Sequence, residues 1–117
     1  MLDLFKKYEQ FIKAFHISCY ELEGEIHRFK ANLTFIDNSQ LFIKEYLFEN
    51  YDRKYAYHWT DDSGKLICRW DNSNHWTHIS TFPHHKHVGN QVIDSIEISL
   101  DDVLAFICEQ ISNYTAE

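Results

Sequence analysis

The stretch RKYAYHWTDDSGKLICRWD, residues 53–71, decides the fold. Two runs rich in aromatic and apolar residues flank DDSG at 61–64, a tight-turn sequence, and the segment reads as a β-hairpin. Strand side chains alternate, so Tyr55, Tyr57 and Trp59 share one face of the first arm and His58 takes the other. In the second arm Leu66, Cys68 and Trp70 lie opposite Ile67, Arg69 and Asp71. Pairing across the turn brings His58 near the strand of Arg69, and a slip of one residue would separate them.

Outward from this hairpin the pattern repeats. EIHRFKANLTFI (25–36) and QLFIKEYLFENY (40–51) alternate as strands around the turn residues DNS at 37–39. The second of these places Leu41, Ile43 and Glu45 on one face. QVIDSIEI (91–98) reads as a further short strand, and residues 72–90 as a long polar connection. Phe5, Tyr8, Ile12 and Phe15 recur three or four apart, which predicts an amphipathic helix over 2–15 with Lys6, Lys7 and Lys13 toward water. A second helix is expected from Leu100, capped by Ser99 with Asp102 three residues on. The expectation is an α+β single domain over 1–117. It consists of a curved antiparallel meander of four to five strands, with N-terminal and C-terminal helices packed on one face.

The totals narrow the function. A net charge of −7 argues against a general nucleic-acid coat. From Arg53 to His87, however, five Lys/Arg oppose three acids, and six of the eight histidines lie in this window. It is the one electropositive region, more so as pH falls. Cys19, Cys68 and Cys108 lack C-x-x-C spacing and read as reduced, mostly buried thiols. No apolar run is long enough for a membrane span and no signal peptide is legible, which makes the cytoplasm the expected location.

Three constellations could carry chemistry. Arg69 and Asp71 face the same way, as a structural ion pair first or as an anion-binding group held by its acid. In TFPHHKH (81–87), His84, His85, Lys86 and His87 suit attack on a phosphodiester: one histidine takes the 2′-hydroxyl proton, another protonates the leaving oxygen, and Lys86 and Arg69 balance charge. His75, His78, His85 and His87, with Cys68 or Asp71, could instead ligate zinc or nickel. Their spacing fits no established pattern, and Lys86 would repel a cation, so neither metal nor other cofactor is expected. Tyr55, Tyr57, Trp59, Trp70 and Trp76 are sheet and core residues before they are stacking platforms. Trp76 suits a partner surface as well as a loop anchor. Glu45, on an apolar face, is a paired acid before it is a catalytic one.

The order of these motifs resembles the TumE-like family of small prokaryotic toxins. The resemblance rests on Tyr55, Tyr57 and His58; on Gly64, Leu66, Arg69, Trp70, Asp71 and Asn72; on Thr81 through His87; and on the strand ending at Glu45. Trp70 stands where the family carries tyrosine, and His75 is followed by Trp76 in place of a second histidine. The resemblance implies a toxin paired with a helix-turn-helix antitoxin and acting on RNA. The resulting expectation is a metal-independent endoribonuclease. His58, Asp71, His84, His85, Lys86 and His87 are its candidate catalytic residues, and Arg69, His75 and Tyr57 its candidate substrate contacts. A homodimer is compatible with an exposed sheet edge. The alternatives are a non-enzymatic accessory protein that binds a protein partner, and a histidine-rich metal-binding domain.

Overall fold

A computed structural model describes residues 2–50 and 52–115. The chain runs through α1 (Leu2–Lys7), β1 (Ile12–Glu23), β2 (Ile26–Phe35), β3 (Gln40–Leu47) and β4 (Arg53–Thr60). It continues through β5 (Leu66–Asp71), β6 (His85–Val88), β7 (Gln91–Asp94) and α2 (Leu100–Thr115). The strands form one open antiparallel sheet in sequence order, each paired with the next. The sheet therefore has seven strands, more than the four to five expected.

Both additional strands come from segments whose pattern pointed elsewhere. The helix expected over 2–15 ends at Lys7, and Ile12 begins the 12-residue strand β1. Ile12 and Phe15 have helical spacing relative to Phe5, but Phe15 and Ile17 also alternate. Pairing Phe15 with Leu33 and Ile17 with Ala31 covers the edge of β2, which a helix would leave open. A helix of six residues is marginal alone. It is held by Phe5 in the core and by Tyr8 and Lys7, which reach Asp101 Oδ1 at 2.5 and 3.1 Å. The connection expected over 72–90 likewise contains β6, which pairs with β5 from Arg69–His87 to Asp71–His85.

Alternation sorts the sheet into two faces. Phe29, Ala31, Leu33 and Phe35 of β2, Leu41 and Ile43 of β3, Tyr55, Tyr57 and Trp59 of β4, and Cys68 and Trp70 of β5 are buried. They pack with Phe5 and with Leu100, Val103, Leu104, Ile107 and Ile111 of α2 in one core. Glu45 and Tyr57 fall on this side too. The Tyr57 hydroxyl donates to Glu45 and receives a hydrogen bond from Arg53 at 2.6 Å, while Arg53 also reaches the carbonyl oxygen of Ile98 at 2.9 Å. This network ties the lead-in of α2 to β3 and β4, so Glu45 is a paired acid. Ser99 and Asp102 close a reciprocal cap at 3.2 and 3.1 Å.

Removal of buried carbon from α2 should outweigh loss of its cap. Ile107→Ala is expected to cost about 2–5 kcal/mol and Ser99→Ala about 1 kcal/mol, measured by urea unfolding. Equal costs would mean that α2 is held by its terminus rather than by the sheet.

Candidate functional site

The polar face of the sheet, away from α2, gathers the chemistry. The register sets His58, Arg69 and His87 in one cross-strand row and Asp71 and His85 in the next. The slip that would separate His58 from Arg69 does not occur. Arg69 Nε donates to Asp71 Oδ2 at 3.0 Å, and its Nη1 lies 3.2 Å from His58 Nδ1. A guanidinium only donates, so His58 Nδ1 accepts and the ring keeps its proton on Nε2.

Asp71 is buried and draws in more than its arginine. The Ser73 amide donates to Oδ1 at 3.0 Å, His85 Nε2 lies 2.8 Å from Oδ1, and His87 Nε2 lies 3.4 Å from Oδ2. The His85 contact is close but off axis: its buried Nε2 makes no aligned hydrogen bond. Its Nδ1 lies 2.9 Å from the carbonyl oxygen of Pro83, so the ring is wedged between two oxygens and fully enclosed. His85 and His87 thus share a side, with ring centroids 5.0 Å apart.

The segment between β5 and β6 is fastened at both ends. Asn72 stands in for a strand residue: its Oδ1 accepts from the Tyr55 amide at 3.0 Å and its Nδ2 donates to the Arg53 carbonyl at 2.7 Å. At the far end Thr81 Oγ1 donates to the His84 carbonyl at 2.6 Å and accepts from the Ser95 amide at 2.9 Å. Between them Trp76 lays its ring 6.3 Å from His85 and 6.0 Å from His87. It is a loop anchor that walls the site.

Burial and neighbouring charge set the protonation states. His87 is held below the usual imidazole range by desolvation, then by its neighbours His85 and Arg69, against the pull of Asp71. His58 is lowered by desolvation and by Arg69. Both rings are accordingly neutral near pH 7. Burial alone would raise Asp71, but the Ser73 amide, Arg69 and His85 hold it below its usual value, as a carboxylate. Burial pushes Cys68 and Cys108 up to about 11, so neither presents a thiolate.

A cavity of about 480 Å³ opens beside this cluster, lined by Arg69, Asp71, His75, Trp76 and His87 together with Lys44, Tyr46 and Lys54. Three expected site residues lie elsewhere. Lys86 sits opposite Trp70 in the register and lines a groove beside Phe106, on the α2 side. His84 stacks on Tyr55 and its Nδ1 lies 2.9 Å from the tyrosine hydroxyl oxygen. Tyr57 is wholly buried in the core. Lys44 and Lys54 were not singled out in the sequence, although strand alternation sets them opposite Ile43 and Tyr55 and so on the histidine side.

Asp71, His85 and His87 also form the one described cluster with metal-ligand geometry, their donor atoms within 4.8 Å of one another. Lys86, on the other face, does not guard it. Arg69 stands closer: its Nε donates to Asp71 Oδ2 at 3.0 Å, a fixed positive charge that disfavours a cation but leaves His85 Nε2 beside Oδ1 without an aligned partner.

A neutral imidazole beside a buried carboxylate, next to a guanidinium in an open pocket, has the chemistry to exchange a proton and to attract an anion. The protein is thus a small α+β sheet protein with a charged, histidine-lined pocket on its open face. The family model described as Toxin TumE matches residues 1–111, and the chain belongs to the TumE toxin family. Comparison with curated proteins and with solved structures gives no match. Membership implies an antitoxin partner. No described helix is long and apolar enough to cross a membrane.

The Asp71 cluster makes a prediction about acid stability. A depressed folded-state pKa contributes stability that is present above the unfolded value, near 3.8, and is lost as pH falls through the folded value. Asp71→Asn should therefore be less stable than wild type at pH 7, by on the order of 2–3 kcal/mol. The gap should shrink below about pH 4. Denaturant melts from pH 7 to pH 2 check this; a constant gap would show that the carboxylate charge contributes nothing.

Proposed function

We propose that the protein is a toxin that cleaves RNA without a metal, by general acid–base catalysis at the His87 pocket. The observation that carries this reading is the arrangement of His87. Its Nε2 faces the Asp71 carboxylate at 3.4 Å and its ring is held neutral, which leaves Nδ1 as an oriented base in a cavity that also holds Arg69.

In the proposed step Nδ1 of His87 takes the proton of a ribose 2′-hydroxyl. The resulting oxygen attacks the adjacent phosphorus, and the bond from phosphorus to the 5′-oxygen breaks. His75, exposed on the pocket rim, is the group placed to protonate the leaving oxygen. Arg69 and Lys44 face the phosphate and offset the negative charge that grows on its oxygens. His85 has no route to the substrate; it positions Asp71. His58 holds Arg69 from the other side. In a toxin–antitoxin pair, a helix-turn-helix antitoxin would silence this activity, and covering the pocket suffices.

Purified protein should cut single-stranded RNA in the presence of EDTA, and His87→Ala should lose about 10²–10⁴-fold in rate. In kcat/KM the acidic limb should lie below pH 6.5, because the folded pKa of the base is lowered from that value. Loss of cutting on chelation would move the reaction to a metal at Asp71, His85 and His87. Absence of cutting on every RNA offered, with no growth arrest on expression, would sink the nuclease reading.

A further inference from the structure

The polar face continues beyond the pocket, and its charges follow the strand register. Asp71 lies opposite Ala56, Ala56 opposite Lys44, and Lys44 opposite Lys30. In the neighbouring row Lys54 lies opposite Tyr46, and Tyr46 opposite Arg28. A line of cations thus leaves the pocket and crosses β4 and β3 to reach β2. The Nζ atoms of Lys44 and Lys30 stand 5.3 and 5.9 Å from the centroid of the Tyr46 ring, so both ammonium groups gather at one tyrosine.

This arrangement works against folding. Like charges directly opposite on neighbouring strands destabilise a sheet. Among the described residues, none of Lys30, Lys44 and Lys54 has a carboxylate partner. Glu21 pairs with Arg28 at the end of the neighbouring row, but no described ion pair places a carboxylate on Lys30, Lys44 or Lys54. Uncompensated lysines aligned with a pocket are explained by a ligand that brings the opposite charge in a line.

We infer that the Lys44–Lys30 row, with Tyr46 beside it, is a binding track for a single-stranded nucleic acid, carrying the strand across the sheet from the scissile position; the inference rests on the reading of the pocket as a phosphodiester site. Three strand spacings of about 4.8 Å span about 14 Å, room for a few nucleotides rather than one. The lysines meet phosphates, and Tyr46 offers an aromatic surface on which a base stacks. A duplex keeps its base faces covered and cannot use that ring. The acidic remainder of the chain also penalises a broad duplex contact, but not a narrow strand.

The test uses the full chain and uncleavable 2′-O-methyl RNA of two, four and eight nucleotides, with binding read by fluorescence anisotropy over a range of salt. Wild-type affinity should rise with length. Lys30→Gln should remove the gain of the eight-mer over the dinucleotide and lower the salt slope by about 0.7. Tyr46→Ala should weaken the eight-mer about tenfold. Lys65→Gln removes the same charge at the hairpin turn and should leave binding unchanged. Lys30→Gln relieves a like-charge pair and gives up one ring contact, so thermal melting is read beside binding, and a binding defect at unchanged melting temperature cannot be ascribed to misfolding. Affinity independent of length overturns the track. So does equal weakening by Lys65→Gln, or equal competition by duplex RNA or polyglutamate. Length-dependent binding without cutting leaves the track standing and removes the nuclease; cutting with length-independent binding does the reverse.

Discussion

The open face of the sheet is organised by one carboxylate. Asp71 sits at the end of β5, buried, with the Ser73 amide, Arg69, His85 and His87 all directed at its two oxygens. A buried carboxylate is costly unless donors surround it, and here they come from three segments of chain. Arg69 is on the same strand, the histidines are on β6, and Ser73 begins the connecting loop. Satisfying Asp71 therefore also sets the β5–β6 register and the direction in which the loop departs. Asn72 is the next residue and completes the backbone bonds of Tyr55 and Arg53, so two adjacent polar side chains fix where a thirteen-residue connection over 72–84 begins.

The two faces divide the labour. On one side α2 and α1 seal an aromatic and aliphatic core, and its few polar members are closed on one another through Glu45, Tyr57 and Arg53. On the other side Lys30, Lys44 and Lys54 have no carboxylate partner among the described residues, and a buried His85 Nε2 lacks an aligned hydrogen bond. The core supplies the stability that lets the open face carry unfavourable features, as is general where function and folding compete. The same period of two explains Lys86. It lies between His85 and His87 in the chain, and for that reason it must point away from them.

Much of this was legible in the sequence, and the limits have physical causes. The central hairpin was readable because turn chemistry and alternation agree over residues 53–71. So was α2, where apolar spacing and the Ser99–Asp102 cap coincide. Residues 12–17 were misread because Phe5, Ile12 and Phe15 fit a helical period as well as a strand one, and only the unpaired edge of β2 decides between them. In the site, His58, Arg69, Asp71, His75, His85 and His87 come together, whereas His84, Lys86 and Tyr57 do not. Alternation along an extended 84–87 suggests that His85 and His87 share a side, as they do, but Lys86 and His84 were kept with them as site residues. Lys44 and Lys54 were overlooked for a related reason: a lysine on an amphipathic strand looks like ordinary solvent coverage until the other side of the sheet is known.

The charge of the chain then takes on a specific sense. A protein of net −7 cannot hold nucleic acid by general attraction, so any such contact must be made where cations are locally uncompensated. The acids are disposed accordingly. Asp101 is occupied by Lys7 and Tyr8, Glu21 by Arg28, and Glu97 and Glu45 by Arg53, while Asp71 faces Arg69 from within the site. Lys30, Lys44 and Lys54, like several other lysines without a described carboxylate partner, are uncompensated, but these three share one face and the register makes them continuous with the pocket. On the proposed reading, an acidic body with a narrow cationic line would repel most polyanions and admit those thin enough to follow it. In such a design selectivity comes from the shape of the charge and not from its total, and that shape is set by the period of a β-strand.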